Sequence, residues 1–147
     1  MLAPYVRGFL RASLVWLAIG IAIGVAMAFW PAQHIVYRPA HAHANLLGFL
    51  SMFVFGVAYH VLPRFVGRPL PSERLAMWHL WVANFGLALL EGGWLVGPTW
   101  MRAGRLLLIG GAVVSLVGAA LFIFNAWRIT GKRANVDFVP PPSAGTR

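Results

Sequence analysis

Four long apolar stretches run through the chain, and short segments rich in proline and basic residues separate them. The stretches cover about residues 9–30, 43–63, 75–97 and 104–127. Each matches the ~20 predominantly apolar residues that a helix needs to cross the hydrocarbon core of a bilayer. The pattern therefore predicts an all-α membrane protein with four transmembrane helices.

The connections between these stretches contain residues that end helices. Pro31 and Pro39 bound the predicted first loop, prolines at 63, 69 and 71 the second, and Gly97-Pro98 the third. Because all three loops are short, neighbouring helices should be antiparallel. We expect an up-down arrangement within one domain, residues 1–130.

Composition also favours a bilayer over water as the solvent. The chain is 60% hydrophobic and 10% charged, whereas soluble domains carry about 25% charged residues. The net charge of +9 comes from lysines and arginines in loops and tails, where basic residues orient helices and meet anionic headgroups. We therefore expect no nucleic-acid partner. The absence of cysteine excludes disulfides, thiolate clusters and covalent attachment of c-type heme.

The basic residues are divided unequally between the two sides of the predicted membrane domain, and the richer side should be cytoplasmic. Both termini would then be cytoplasmic, in the inner membrane of a prokaryote, and residues 131–147 would form a disordered cytoplasmic tail. The richer side holds eight basic residues and the other side three: Arg7, Arg11, Arg64, Arg68, Arg74, Arg128, Lys132 and Arg133 against Arg38, Arg102 and Arg105.

The second apolar stretch has the densest group of polar side chains. His41, His43 and Asn45 lie at its start and His60 near its end. With a rise of 1.5 Å per residue, His43 and His60 are about 25 Å apart along the helix axis. The two histidines therefore cannot bind one metal within a single copy of the chain.

His41 and His43 are candidate metal ligands near the outer face. They are separated by about 200° around a helix, so only one of them can face a given pocket. A neutral imidazole suits heme iron as an axial ligand, and Asn45 is a candidate partner for the second ring nitrogen. The alternative is that both histidines lie at the headgroup level and hydrogen-bond to carbonyls or water.

His60 and His79 form a second candidate group. The predicted loop between helices two and three places them at similar depth on the cytoplasmic side. They are candidates to bind a second heme, another metal such as copper, or a quinone headgroup. The alternative is an interfacial pair within an aromatic belt that includes Tyr59, Trp78 and Trp81.

The second stretch also resembles a known family. His43-Ala-Asn45-Leu-Leu-Gly-Phe, followed by Phe55-Gly-Val-Ala-Tyr59-His60-Val-Leu-Pro63, is similar to transmembrane helix two of subunit I of the heme–copper oxidases. The similarity is greatest to the branch with nitric oxide reductases and C-family oxidases. Trp81-Val-Ala-Asn84-Phe-Gly86 resembles helix three more weakly.

The resemblance implies that His43, rather than His41, is an axial ligand of a low-spin heme b. In the family the other heme and copper ligands lie on later helices, which this chain lacks, so complete oxygen or nitric oxide reduction by one copy is not expected. The family's twelve helices form three arcs of four, and this chain resembles one arc. It therefore implies a homotrimer, with a dimer as the alternative.

We accordingly predict a heme b-binding membrane protein of electron transfer or of nitric oxide or oxygen response. Its redox partner would be a quinone or a cytochrome, and any catalytic activity would be that of an oxidoreductase. Two alternatives remain open, a quinone-linked redox subunit and a non-enzymatic accessory or assembly protein of a respiratory complex.

Overall fold

The computed structural model describes residues 2–131, which form helices and short connections without any strand in that range. Most of the predicted tail therefore lies outside the described residues. The elements, in chain order, are α1 (Pro4–Phe29), a 3-10 turn (Pro31–Gln33), α2 (His34–His43), a π-helical segment (Ala44–Ser51), α3 (Met52–Val66), α4 (Glu73–Val96) and α5 (Met101–Thr130).

The second predicted span belongs to one continuous helix, because α2, the π-helical segment and α3 follow each other without a break from His34 to Val66. Pro39 therefore lies inside a helix, and its predicted position as a loop boundary is wrong. The missing N–H of a proline deprives the carbonyl four residues earlier of its partner. Here that carbonyl belongs to Ile35, in the first turn of α2.

Three helices are long and apolar enough to cross a membrane, namely Pro4–Phe29, His34–Val66 and Met101–Thr130. They correspond to the first, second and fourth predicted spans. The remaining helix, α4, has 24 residues but also carries His79, Asn84 and Glu91, which reduce its apolar content. That α4 crosses the membrane stays a prediction, as does the orientation of the termini.

Helix α4 lies against α5 along its length and also contacts α1, α2 and the π-helical segment. Glycine permits this close packing. A Cβ atom on Gly111 would lie 2.6 Å from the backbone nitrogen of Leu90, and one on Gly86 would lie 2.7 Å from the Ser115 nitrogen. Small residues thus bring the two backbones together within one copy of the chain.

Aromatic side chains fill the space between α1, α3 and α4. Phe9 and Tyr59 are both buried, and their ring centroids are 5.8 Å apart. Further along α1, the Trp16 indole N–H donates to the Asn84 side-chain oxygen at 3.0 Å. Asn84 in turn donates to the Leu80 carbonyl at 2.7 Å, so this polar group inside the bundle is hydrogen-bonded at both ends.

We predict that Gly111→Ala destabilises the protein by about 1–3 kcal/mol because the new methyl group overlaps the α4 backbone. Gly110→Ala is the matched control, since a Cβ there meets only Leu89 Cδ1, at 4.0 Å. The free energy of unfolding should be measured by titrating the protein in mixed micelles with a denaturing detergent and following its helicity. Equal stability of the two variants would contradict the packing described above.

Candidate functional site

His43 lies at the end of α2, directly before the π-helical segment. Its Nδ1 atom is 2.8 Å from the carbonyl oxygen of Pro39. A carbonyl can only accept a hydrogen bond, so Nδ1 carries the proton and the lone pair of the neutral ring is on Nε2. The imidazole stacks on Trp94 of α4, with ring centroids 6.3 Å apart and an interplanar angle of 19°. The ring is therefore fixed in tautomer and orientation.

His41 points to a different neighbour. Its Nδ1 atom donates to the carbonyl of Gly20 on α1, at 2.8 Å, and a Cβ atom on Gly24 would lie 2.9 Å from its Cε1. His41 therefore packs on α1, whereas His43 packs on α4. The two rings face different helices, as the helical spacing predicted.

Asn45 is associated with His41 and not with His43. Its amide nitrogen donates to the backbone carbonyl of His41 at 2.8 Å, and its side chain packs against Gly20. Gly20 and Gly24 thus form a notch on α1 that receives His41 and Asn45. The hydrogen-bond partner of His43 is the Pro39 carbonyl, which no side-chain pattern in the sequence could indicate.

The π-helical segment Ala44–Ser51 begins directly after His43. Extended π-helical geometry is rare, and single π turns are frequent at functional sites. Gly48 lies where a Cβ atom would be 2.5 Å from the Cβ of Trp16, so the segment is pressed against α1. Its turns are wider than those of an α-helix. The side chains of α3 therefore point in directions different from those they would have if a regular helix continued from His41 and His43.

Two buried polar groups of α4 lie on the side that faces α2. Glu91 is 5% exposed, and both of its carboxylate oxygens lack a hydrogen-bond partner within residues 2–131. The indole nitrogen of Trp94, the residue that stacks on His43, is also buried without a partner in that range. No hydrogen bond joins Glu91 to an arginine in the described part of the chain.

His60 and His79 lie in different environments. His60 is partly exposed, and the Arg64 guanidinium donates to its carbonyl and lies 3.1 Å from its Nδ1. His79 is completely buried, and its Nδ1 is 3.0 Å from the hydroxyl of Tyr59. The partner of His79 is thus Tyr59, the residue before His60. Tyr59 faces into the bundle, whereas His60 faces the surface.

No group of three or more metal-binding side chains comes together within residues 2–131. The described residues therefore provide single histidines and not a polydentate metal site. Such histidines are the kind of ligand that binds one axial position of a heme.

Part of the chain has recognisable relatives. The chain is 39% identical over 59 residues to cytochrome c oxidase subunit 1 of Rhodobacter capsulatus, which is 39% of this chain and 11% of that protein. It is 40% identical over 48 residues to a cytochrome c oxidase subunit 1 homolog of Agrobacterium tumefaciens (strain T37), which is 32% of this chain and 9% of that protein. The similarity is to subunit 1 of cytochrome c oxidases.

The chain spans about a tenth of the length of these two relatives. No family model matches it, and no solved structure does. The similarity and the apolar helices together indicate a prokaryotic membrane protein of respiratory type. The particular helix and branch of the oxidase family remain predictions.

We predict that Gly20→Ala destabilises the protein by about 1–3 kcal/mol through overlap with Asn45, because a Cβ at Gly20 would lie 2.7 Å from Asn45 Cγ. Asn45→Ala removes the overlapping atoms, so the double variant should be more stable than the sum of the single effects by about 1 kcal/mol. Unfolding free energies of all four proteins complete the cycle. Gly92→Ala is the control, since its Cβ would meet only Leu107, at 3.8 Å. Strictly additive effects of Gly20→Ala and Asn45→Ala would contradict the packing of Asn45 against Gly20.

Proposed function

We propose that this protein binds heme b through His43 and serves in electron transfer or in a response to nitric oxide or oxygen. The observation that carries the proposal is the hydrogen bond between His43 Nδ1 and the Pro39 carbonyl, at 2.8 Å. Ligating histidines characteristically donate their second ring N–H to a carbonyl or carboxylate. The similarity to cytochrome c oxidase subunit 1 supports the same cofactor class.

The residues present fit one side of a heme. Within residues 2–131 the Nε2 atom of His43 has no hydrogen-bond partner, so its lone pair is available to iron. Leu46 and Leu50, on the helix that follows, are 58% and 50% exposed and offer an apolar surface to a porphyrin. Since the chain has no cysteine, the heme would be held without a covalent link.

In this proposal the heme supplies an iron centre that accepts or releases one electron. The chain determines how that centre is held. His43 donates the Nε2 lone pair, and the Pro39 carbonyl makes the imidazole a better donor and fixes its plane. Trp94 stacks on the imidazole and limits its rotation. His41 has a separate role, because its bond to Gly20 secures the rotation of the helix that carries both histidines.

The second axial ligand would come from another copy of the chain. His41 faces α1 and His79 is buried behind Tyr59, so neither is placed to hold the same heme as His43 without repacking. We therefore propose a homotrimer with hemes at the subunit boundaries, or alternatively a dimer that shares one heme. The orientation with both termini in the cytoplasm belongs to the same proposal.

The decisive measurement is the visible absorption spectrum of the purified protein, oxidised and reduced, with heme quantified per chain. We expect a six-coordinate low-spin heme b. His43→Ala should lose this spectrum, whereas His34→Ala, an exposed histidine of the same helix, should keep it. Imidazole added to His43→Gly should restore part of the signal by replacing the missing ligand.

Unchanged heme content and spectrum in His43→Ala would refute the assignment. A wild-type protein that binds no heme, even when expressed with heme precursors, would favour the accessory or assembly function. The quinone alternative requires heme reduction by quinol that depends on His60. His79 would not take part directly, because it contacts Tyr59 inside the bundle whereas His60 contacts Arg64 near the surface.

The oligomer makes a further prediction. Native mass measurement in detergent should give three chains per particle, or two for the alternative, and His43→Ala should lower the stability of the oligomer because it removes a heme-mediated link. His34→Ala is again the control. A monomer that retains a complete low-spin spectrum would contradict a ligand supplied by a second copy.

A further inference from the structure

His79 lies in the middle of the aromatic packing between α1, α3, α4 and α5. Its side chain is 0% exposed. The rings of Phe9, Phe55 and Phe122 surround it, with centroid distances of 4.8, 4.7 and 5.7 Å. Its one hydrogen bond within the described residues joins Nδ1 to the Tyr59 hydroxyl at 3.0 Å. An apolar side chain would fill this space without any need for a polar partner.

The second ring nitrogen of His79, Nε2, is buried and has no hydrogen-bond partner within residues 2–131. In one neutral tautomer Nε2 is a donor and in the other an acceptor, so it needs a partner in either case. The hydroxyl of Ser115 on α5 is also buried without a partner in that range. Buried polar groups in this condition are generally paired with ordered water.

Both residues line the same cavity, which is partly open at the protein surface. It has a volume of about 70 Å³ and lies between the second helix, α4 and α5. Liquid water takes about 30 Å³ per molecule, so the cavity has room for at least two. The rest of the lining is mainly apolar, for example Met52 and Leu87. The polar atoms that can hold water therefore belong to His79, Ser115 and Ser51, and Ser51 already donates to the Leu46 carbonyl.

The same histidine is connected to a second, larger space. A cleft of about 510 Å³ lies where α3 ends and α4 begins, and we call it the α3–α4 cleft. Tyr59 lines it, together with the ionisable side chains of Tyr5, His60, Arg64, Arg68 and Glu73. Tyr59 thus lines the cleft and, through its hydroxyl, contacts the histidine that lines the smaller cavity.

We propose that the cavity is a binding site for a small cluster of water molecules, held by His79 Nε2 and Ser115 Oγ. We further propose that its protons exchange with the α3–α4 cleft through the Tyr59–His79 hydrogen bond. The ligand class is a neutral molecule of water size that both donates and accepts hydrogen bonds. This site is separate from His43 and does not depend on heme binding.

The test uses the full chain in lipid bilayers and solid-state NMR with labelled histidine and serine. Magnetisation that starts on water should reach the His79 ring nitrogens and Ser115 Cβ several-fold faster than Ser13 Cβ. Ser13 is the matched dry control because it is buried and its hydroxyl donates to the Leu10 carbonyl at 2.8 Å. Transfer to His79 and Ser115 as slow as to Ser13, or transfer from lipid protons instead, would overturn the water site.

Two tyrosine variants test the exchange path. After transfer into D₂O, the ring N–H of His79 should exchange several-fold more slowly in Tyr59→Phe than in the wild type. Tyr5→Phe is the control, because Tyr5 also lines the cleft but its ring contact is with Tyr59 and not with His79. The path is wrong if Tyr59→Phe exchanges as fast as the wild type, or if Tyr5→Phe slows exchange to the same extent.

Ser115→Ala separates the site from general loosening of the bundle. It removes one polar end of the cavity, so water transfer to His79 should decrease while the transfer to His60, on the surface cleft, stays unchanged. A parallel decrease at both histidines would mean that the variant has altered the bundle as a whole, and the assignment to Ser115 would be rejected.

Discussion

The hydrogen bond from His41 to the Gly20 carbonyl sets the rotation of the second helix, and most of the polar architecture follows from that rotation. The bond is possible because Gly20 and Gly24 leave a notch into which His41 and Asn45 fit. With His41 held on α1, His43 necessarily faces α4, where it meets Trp94. Replacing the notch with larger side chains would move every group on this helix, including those far from the notch.

Polar groups in the bundle fall into two sets. Some are completely paired, such as Trp16 with Asn84, and these join α1 to α4. Others keep at least one polar atom without a hydrogen-bond partner within residues 2–131, and three of these residues, His79, Glu91 and Trp94, lie on α4. This same helix is the least apolar of the long helices. One face of α4 is packed against its neighbours while Trp78, Trp81 and Phe85 remain exposed on the other. The packed face is where unpaired polar atoms can be retained for a ligand, a water molecule or a partner chain.

Sequence patterns predicted the features that depend on composition and helical repeat. The apolar runs predicted four membrane spans, and three of these match helices with the length and hydropathy of such spans. The spacing of His41 and His43 predicted their different directions. The prediction that Pro39 bounds a loop was wrong. Whether a proline ends a helix depends on its distance from the helix start, and the sequence did not show where this helix starts. The π-helical segment was not predicted, and the close approach of its Gly48 to Trp16 joins two helices in a way that no pattern within one helix indicates.

The Tyr59–His79 pair shows the same limit for the candidate sites. Depth along the helices indicated that His60 and His79 were neighbours, but depth does not specify which side of a helix faces inward. A change of one residue turns a side chain by about 100°, so Tyr59 faces the bundle and His60 the cleft. The sequence did contain a signal, because the aromatic residues Tyr59, Phe55 and Phe9 lie on the helix faces that enclose His79. This signal could be interpreted only once the rotation of each helix was known.

The described residues limit what this chain can offer to a cofactor. Within residues 2–131 no three metal-binding side chains come together. His43 therefore offers a single ligand from a fixed ring, and large apolar residues such as Leu46 and Phe53 remain exposed on the same continuous helix. A bilayer satisfies such a surface, but lipid cannot supply a second ligand to iron. If His43 binds heme with both axial positions filled by protein, the second ligand has to come from another polypeptide or from a residue of this chain that repacks toward His43.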